Sequence, residues 1–364
     1  MAHGIHGERF VGMRTPGWHQ IGTVLQEQVS AREALTIGGI TYTYADAPMG
    51  FVTPDGVFQE SKTQKVVLRS PIPEDPEWKP LGVVSTNYRY LQNEELALGL
   101  DTIAKETGWK FETVGALHDG KVIFITMDAG ARDVRGDEYR SFILVADGKV
   151  AGRALSISVT PVRVVCQNTL SMADSENDIK IKISHGSNVH QDYSFWLRYV
   201  GALKAAQERT FDDLETMTRV QISDDQARRI IARAFPEPSL SSAGKALAQV
   251  QENPAFDSEE LRKAAQKVGT RDQWNLDQAR KSRELSFELY ERFNSGEEQG
   301  GIFRGKLSAK ALANLQRTPY AALQAITELV DWGSDAKGAS KTAIFGEGAQ
   351  VKRRAFNAAL AASR

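Results

Sequence analysis

The residues of this sequence whose types and spacing could do chemistry are mostly basic. Arg140, Lys149, Arg153 and Arg163 fall within residues 140–165, opposed there only by Asp147. Lys121 stands ahead of them, and Lys180 and Lys182 alternate with Ile179, Ile181 and Ile183. Lys352, Arg353 and Arg354 follow a glycine pair, with Phe345 and Phe356 close by. Basic groups that track phosphates, beside aromatic rings on which bases stack, hold single-stranded nucleic acid without reading its sequence. These ten residues therefore suggest binding of single-stranded DNA along a basic groove, with no metal and no cofactor. A solvated sheet face and tail would account for the same charges.

Other chemistries have thinner support. Cys166, the single cysteine, lies in SISVTPVRVVCQNTLSMAD with no histidine spaced to activate it, and reads as a buried structural thiol. His3, His6, His19, His118, His185 and His190 show no metal-finger spacing. Asp128, Asp133, Asp137 and Glu138 could pair for metal-assisted hydrolysis, but they fall in a loop between strands, where acidic groups are ordinarily solvated. Gly346 and Gly348 precede basic residues without the Lys-Ser/Thr of a phosphate loop. Trp18-His19 is the remaining enzymatic candidate; otherwise Trp18 anchors the first loop on the core.

The elements that must position these groups are legible in part. Ser30 and Glu33 form a capping box for a short helix that Gly38-Gly39 ends. Residues 40–45, 49–53, 64–70 and 81–91 read as strands around the proline-rich loop 71–80. Asn93 reads as the cap of a helix with Leu96, Leu100, Ile103 and Ala104 on one face, stopped at Gly108. Residues 109–159 hold two hairpins around Asp119-Gly120 and Asp147-Gly148, dipeptides that favour a type I′ turn. Thr160-Pro161 begins a predicted helix over 161–173 that carries Cys166 and covers one face of the sheet. Amphipathic helices follow over 190–217, 223–235 (with a Ser223 to Gln226 capping box), 257–269, 275–293 and 318–332, with a linker near 236–245. The expected fold class is α+β: an N-terminal antiparallel sheet of hairpins with packed helices over 1–189, then a mainly helical region over 190–364.

At 364 residues, 41% hydrophobic and 25% charged, the chain is long enough for two domains. A lone cysteine excludes a disulfide framework, no apolar run approaches the roughly 20 residues of a membrane span, and no secretion signal is seen. A cytoplasmic protein without a membrane partner is expected. The net charge of −1 conceals a basic end, with ten Lys+Arg against four Asp+Glu after residue 300, which permits an anionic partner.

TPVRVVCQNTL (160–170) does not stand alone. Together with PGWHQIGT (16–23), EALTIGGITYTY (33–44), RTPYAALQAITELVDW (317–332) and FGEGAQVKRRAF (345–356), it resembles the phage- and plasmid-like family of unknown function number 932 over nearly the whole chain. Gly17 and Gln20-Ile21 depart from the Pro-Trp-His-Gly-Leu-Gly expected of that family. The resemblance implies a protein encoded on bacteriophages, prophages or plasmids, acting in the cytoplasm of the bacterial host, and it assigns no catalytic residue. The hairpin sheet backed by a helix is also similar to the core of ring-forming single-strand annealing recombinases of phages, a fold analogy. The expectation is an ATP-independent protein that binds and anneals single-stranded DNA as a homo-oligomer, because a near-neutral monomer offers few phosphate contacts. The alternative is a phage structural or host-directed interaction protein, without DNA binding, whose helical half docks on other proteins.

Overall fold

The Val-, Ile- and Phe-rich runs of the first half form two separate sheets in the computed structural model, which describes residues 4–16, 20–160, 180–186, 193–236, 241–252, 259–295, 309–332 and 348–364. Seven strands make the larger sheet: β1 (Ile5–Met13), β2 (Thr23–Leu25), β6 (Lys110–Leu117), β7 (Val122–Val134), β8 (Asp137–Gly148), β9 (Leu155–Thr160) and β10 (Lys180–Ile183). Their order is β10-β9-β8-β7-β6-β1-β2. β1 pairs antiparallel with β6, β6 with β7, β8 with β9 and β9 with β10, whereas at one edge β2 runs parallel to β1 from Val11↔Thr23 to Met13↔Leu25. The smaller sheet is antiparallel, with β4 (Phe58–Arg69) between β3 (Tyr44–Val52) and β5 (Lys79–Ser85). The fold is α+β, as the alternation of patterns implies.

Two helices cover the larger sheet because each carries one apolar stripe. In α1 (Ala31–Ile37) this is Ala31, Ala34 and Leu35; in α2 (Asn93–Thr107) it is Leu96, Leu100 and Ile103. Both stripes join one core with Val11, Val114, Ile123, Ile125, Ile143 and Val145. Each fully buried aliphatic side chain contributes about 1.5–3 kcal/mol. The Ser30 to Glu33 capping box forms as expected, and Gly108, at φ 75°, stops α2.

The chain divides into two compact units, one of Met1–Arg132 with Glu138–Phe211, the other of Asp133–Asp137 with Asp212–Arg364. The helix α3 (Tyr193–Arg219) contributes to both. The second unit is helical, with α4 (Asp224–Ala234), α5 (Ser242–Glu252), α6 (Glu259–Ala265), α7 (Thr270–Ser295), α8 (Ala309–Leu315), α9 (Pro319–Trp332) and α10 (Gly348–Ser363). Ile230, Ile231, Tyr290, Tyr320, Ile326 and Ala355 are buried in it. The tip of the β7–β8 hairpin belongs to this unit: Tyr320 Oη donates to Asp137 (2.6 Å), and Arg135 donates to the Thr218 carbonyl (2.8 Å).

Several local expectations give way to packing. Asn93 is not the cap of α2 but its first residue, buried, donating to the carbonyls of Ile40 (2.9 Å) and Tyr42 (3.2 Å). Gln92 takes the cap position, and its side-chain amide pairs with both backbone groups of Tyr44, so residues 40–43 are held without being a strand. The 81–91 run ends as a strand at Ser85, and the segment near 236–245 is helical from Ser242. The first hairpin pairs Leu117 with Val122, leaving residues 118–121 as a loop in which His118, Asp119 and Gly120 all take positive φ, rather than a two-residue turn. At Asp147-Gly148 there is no turn; β8 runs through both residues and the chain reverses near Ala151-Gly152. The predicted helix over 161–173 lies outside the described residues.

Inside α2, Gly99 is where the indole of Trp196 rests, and a Cβ there would overlap the ring. Alanine would remove a helix penalty of about 1 kcal/mol, yet it pushes a methyl into a closed contact. Gly99→Ala is expected to destabilise the protein by about 1–3 kcal/mol net, read from urea unfolding; a gain in stability would show that the indole can move aside.

Candidate functional site

Not all of the ten basic residues stand at a surface. Lys149 is fully buried. Arg140 is half-exposed and donates to Asp128 (2.6 Å) and Glu138 (3.0 Å). Lys121 and Arg153 are half-buried, and Lys182 is exposed on β10, the edge strand that also carries Lys180. Arg163 lies outside the described residues. In α10, Lys352 is buried, Arg354 donates to the Ala234 carbonyl (2.9 Å) and Arg353 is exposed. The strands themselves explain part of this: β6 is buried from Phe111 to Leu117, β7 from Ile123 to Asp128 and β8 from Ser141 to Gly148. Unbroken burial means that both faces of these strands are covered, so the groove they were expected to line is not formed there.

The other candidates also disperse. Asp128 is buried and bonded by Arg14 and Arg140, whereas Asp133 and Asp137 sit at the hairpin tip, where Asp133 accepts from the Gly136 N–H (2.8 Å). Among the described residues no group of three or more His, Cys, Asp or Glu is placed to hold a metal ion. Cys166, His3, Trp18, His19, His190 and Gly346 lie outside the described residues. Gly348 begins α10.

What the fold does assemble is an enclosed ionic chain on the inner side of the smaller sheet. Lys149 Nζ donates to Asp147 Oδ2 (2.6 Å) and to the Leu91 carbonyl (2.7 Å), and sits 4.9 Å from the centre of the Tyr44 ring. His185 places Nε2 3.3 Å from the other Asp147 oxygen, while its Nδ1–H donates to the Arg89 carbonyl (2.9 Å). The Tyr88 ring lies 4.7 Å from the imidazole, and its hydroxyl, 3.0 Å from the carbonyls of both Gly148 and Val150, shares its one proton between them. Tyr44 meets Tyr42 edge-on and donates to the Gly120 carbonyl (2.8 Å). Arg69, fully buried, stands over the Tyr42 ring and donates to Asp75 (2.7 Å). Burial pushes both Tyr42 and Tyr44 above the ordinary phenol range, so neither is a proton donor or base near neutrality. Side chains this enclosed cannot meet a solute. Their chemistry is to join β8 to the smaller sheet.

The outer side of that sheet is the opposite case. Phe51, Val52, Val57 and Phe58 flank the β3–β4 turn, Phe51 opposite Gln59 on one side of the ribbon and Val52 opposite Phe58 on the other, and with Trp78 and Val83 they are 41–66% exposed. Behind them, two cross-strand rows, Ala45–Leu68–Pro80 and Ala47–Val66–Val83, face outward and are half-buried or exposed. The inward rows hold Tyr44, Lys65, Val67 and Arg69. The signal in the sequence was the pair of adjacent apolar residues on each side of Thr-Pro-Asp-Gly: a hairpin tip has no core in which to bury both members of Phe51-Val52 and Val57-Phe58.

Residues 80–355 match the family described as a domain of unknown function (DUF932), well over half of the chain. The chain belongs to that family. Neither a curated protein nor a solved structure matches it. The DUF932 region takes in β5, α2, β6 to β10 and the helices into α10, and with them Leu91, Asp147, Lys149 and His185; β1 to β4 precede it. No helix among the described residues of this DUF932 protein is long and apolar enough to cross a membrane.

Two outcomes follow from the enclosed charges. Lys149→Met leaves Asp147 ionised and uncompensated in the interior and is expected to cost about 3–5 kcal/mol in denaturant unfolding, most of it recovered by Asp147→Leu in the same chain. His6 is held below its ordinary value of 6.5, first by burial and then by the Arg9 and Arg69 guanidiniums, against the opposing pull of Asp119 and Glu74. The unfolded chain therefore takes up that proton more readily than the native one. This contribution to stability is complete above about pH 6.5 and is lost as pH falls below it. Thermal melts at pH 7 and pH 5 should differ more for the wild type than for His6→Gln; equal differences would remove His6 from the account.

Proposed function

We propose that this DUF932 protein is a docking protein whose working surface is the outer face and hairpin tip of the three-stranded sheet. The reading is carried by the exposed apolar side chains at the hairpin tip, Phe51, Val52, Val57 and Phe58, together with Val83 on the outer face. Scattered apolar side chains on a surface need no explanation, but several gathered at one hairpin tip beside polar residues mark an interaction site. Here the rim is Asp55, Glu60, Lys62 and Glu77, all exposed. The edges of the sheet support the same reading. Pro48 stands in β3 and Pro80 in β5, the two edge strands. A proline keeps an edge strand paired only if its nitrogen faces outward, where it denies a donor to any incoming strand. Docking therefore goes through side chains on the face and not through strand addition. On a phage or plasmid, such a protein would serve by holding a host or element-encoded protein.

A second reading, binding and annealing of single-stranded DNA, is favoured by Lys182, exposed on the edge strand β10. Lys121, Arg153 and Arg353 would add to it, and the buried Lys149 would not.

A photo-reactive amino acid at position 58, with position 285 as the control, separates the two. The docking reading expects protein adducts from position 58 and none from 285. Absence of protein adducts at 58 overturns it. For the second reading, anisotropy titration with single- and double-stranded oligonucleotides at two salt concentrations should show salt-sensitive affinity that Lys182→Glu weakens; no affinity at low salt overturns that one.

A further inference from the structure

We infer that the β3–β4 hairpin tip is a plug: it enters an apolar cleft of another protein, and a lysine or arginine at the floor of that cleft pairs with Asp55. The inference rests on the docking reading above and describes its partner by shape and charge. The strand register puts Phe51, opposite Gln59, on one side of the ribbon and Val52, opposite Phe58, on the other. Phe51, Val52 and Phe58 are each more than half exposed, so the tip is apolar on both sides. Successive side chains of a strand point to opposite faces, and a flat partner reaches only one of them. Covering both at once takes a wall on each side, which is a cleft.

The tip is already shaped for entry. Thr53-Pro54-Asp55-Gly56 is a hydrogen-bonded turn in which the Gly56 N–H donates to the Thr53 carbonyl (2.8 Å), with Gly56 at φ 83°, and Thr53 Oγ1 accepts from the Val57 N–H (3.2 Å). The Phe58 ring lies against Gly50, where a Cβ would come within 2.4 Å of it, so the glycine gives the ring its seat. A tip ordered in this way loses little conformational entropy on insertion. Between Met49 and Gln59 the single ionisable residue is Asp55, exposed at the apex of the turn, and its carboxylate is charged at neutral pH. It leads the insertion. A carboxylate taken from water without a partner is not tolerated, so the floor of the cleft must supply a cation. The same charge speaks against a lipid surface, whose acyl region excludes ionised carboxylates.

Photo-crosslinking of the full chain in the cells that encode it tests both halves of the inference. A photo-reactive amino acid at position 51 and one at position 52, on opposite sides of the ribbon, should give adducts to the same protein; adducts from one side alone overturn the plug. With the photo-reactive group at position 58, Asp55→Lys should lower the adduct yield at least about tenfold, Asp55→Asn should lower it less and Asp55→Glu should keep most of it, all with the thermal melt unchanged. A yield indifferent to both Asp55→Lys and Asp55→Asn overturns the cationic floor and the proposal with it. Vesicles of phosphatidylcholine and phosphatidylglycerol should not carry the chain in flotation; flotation that Phe51→Ser abolishes overturns the proposal in favour of a membrane. Protein adducts from position 58 in a chain that fails these tests leave the docking reading standing without the plug, and no protein adduct from 51, 52 or 58 ends both.

Discussion

The arrangement of the first unit depends on one buried ion pair, Asp147 with Lys149. Neither side chain reaches water, and an isolated charge in such a place is not tolerated, so the two must be held together and bonded to the groups around them, although Asp147 Oδ1 accepts no hydrogen bond. Lys149 has three N–H groups to satisfy. Asp147 and the Leu91 carbonyl accept two, and the face of Tyr44 lies beside the ammonium. Leu91 follows the smaller sheet and Tyr44 begins it, so satisfying the lysine draws the three-stranded sheet onto the end of β8. The same requirement keeps β8 extended through Gly148, because a turn at Asp147-Gly148 would carry the carboxylate out into water. His185 closes the other side, tying the chain beyond β10 to Arg89, whose carbonyl accepts from the imidazole and whose N–H donates to the His185 carbonyl.

Signals that concern neighbours in sequence were legible. The capping boxes at Ser30 and Ser223 form as the sequence implies, and Thr318-Pro319 opens α9, with the Thr318 hydroxyl accepting from the Ala321 N–H. Such groups find their partners within a turn, and the spacing alone specifies them. The charges could not be read in this way. Lys149 looks like a solvated turn lysine until Leu91, 58 positions away, is beside it. Arg140 looks available until Asp128, on the neighbouring strand, accepts from it. Asn93 has the right type and place for a cap, but the carbonyls of Ile40 and Tyr42 offer it a buried site instead. A count of basic residues along a segment measures potential charge and not its neutralisation by distant parts of the fold.

The two sheets obey opposite rules. In the larger one burial is unbroken from Phe111 to Leu117, from Ile123 to Asp128 and from Ser141 to Gly148, and even the hydroxyls of Thr113 and Thr126 are turned on each other at 2.6 Å, in the interior. Those stretches present no open face to a ligand. The smaller sheet buries one side only. Its inner rows carry the polar chain of Tyr44, Lys65 and Arg69, and its outer rows carry small and aliphatic residues with no helix over them among the described elements. A sheet designed only for stability would place its polar residues outward. The inversion costs ion pairs inside and leaves apolar area outside, an arrangement that makes sense when the outer area is to be covered by something else.

The family boundary sharpens that point. The DUF932 match begins at residue 80, at β5, so the ion pair, Leu91 and His185 fall within it, whereas β3, β4 and the exposed hairpin tip come before it. The apolar surface is thus mounted on a post that the matched region supplies. The attachment is rigid: Lys65 donates to Asp46 and to the Tyr88 carbonyl, and Gln92 holds both backbone groups of Tyr44. Rigidity matters for docking because a surface already ordered loses little conformational entropy on binding. A floppy hairpin with the same four apolar residues would forfeit much of their contact energy to ordering. On the docking reading, the inward polar rows are part of how the outward face would bind.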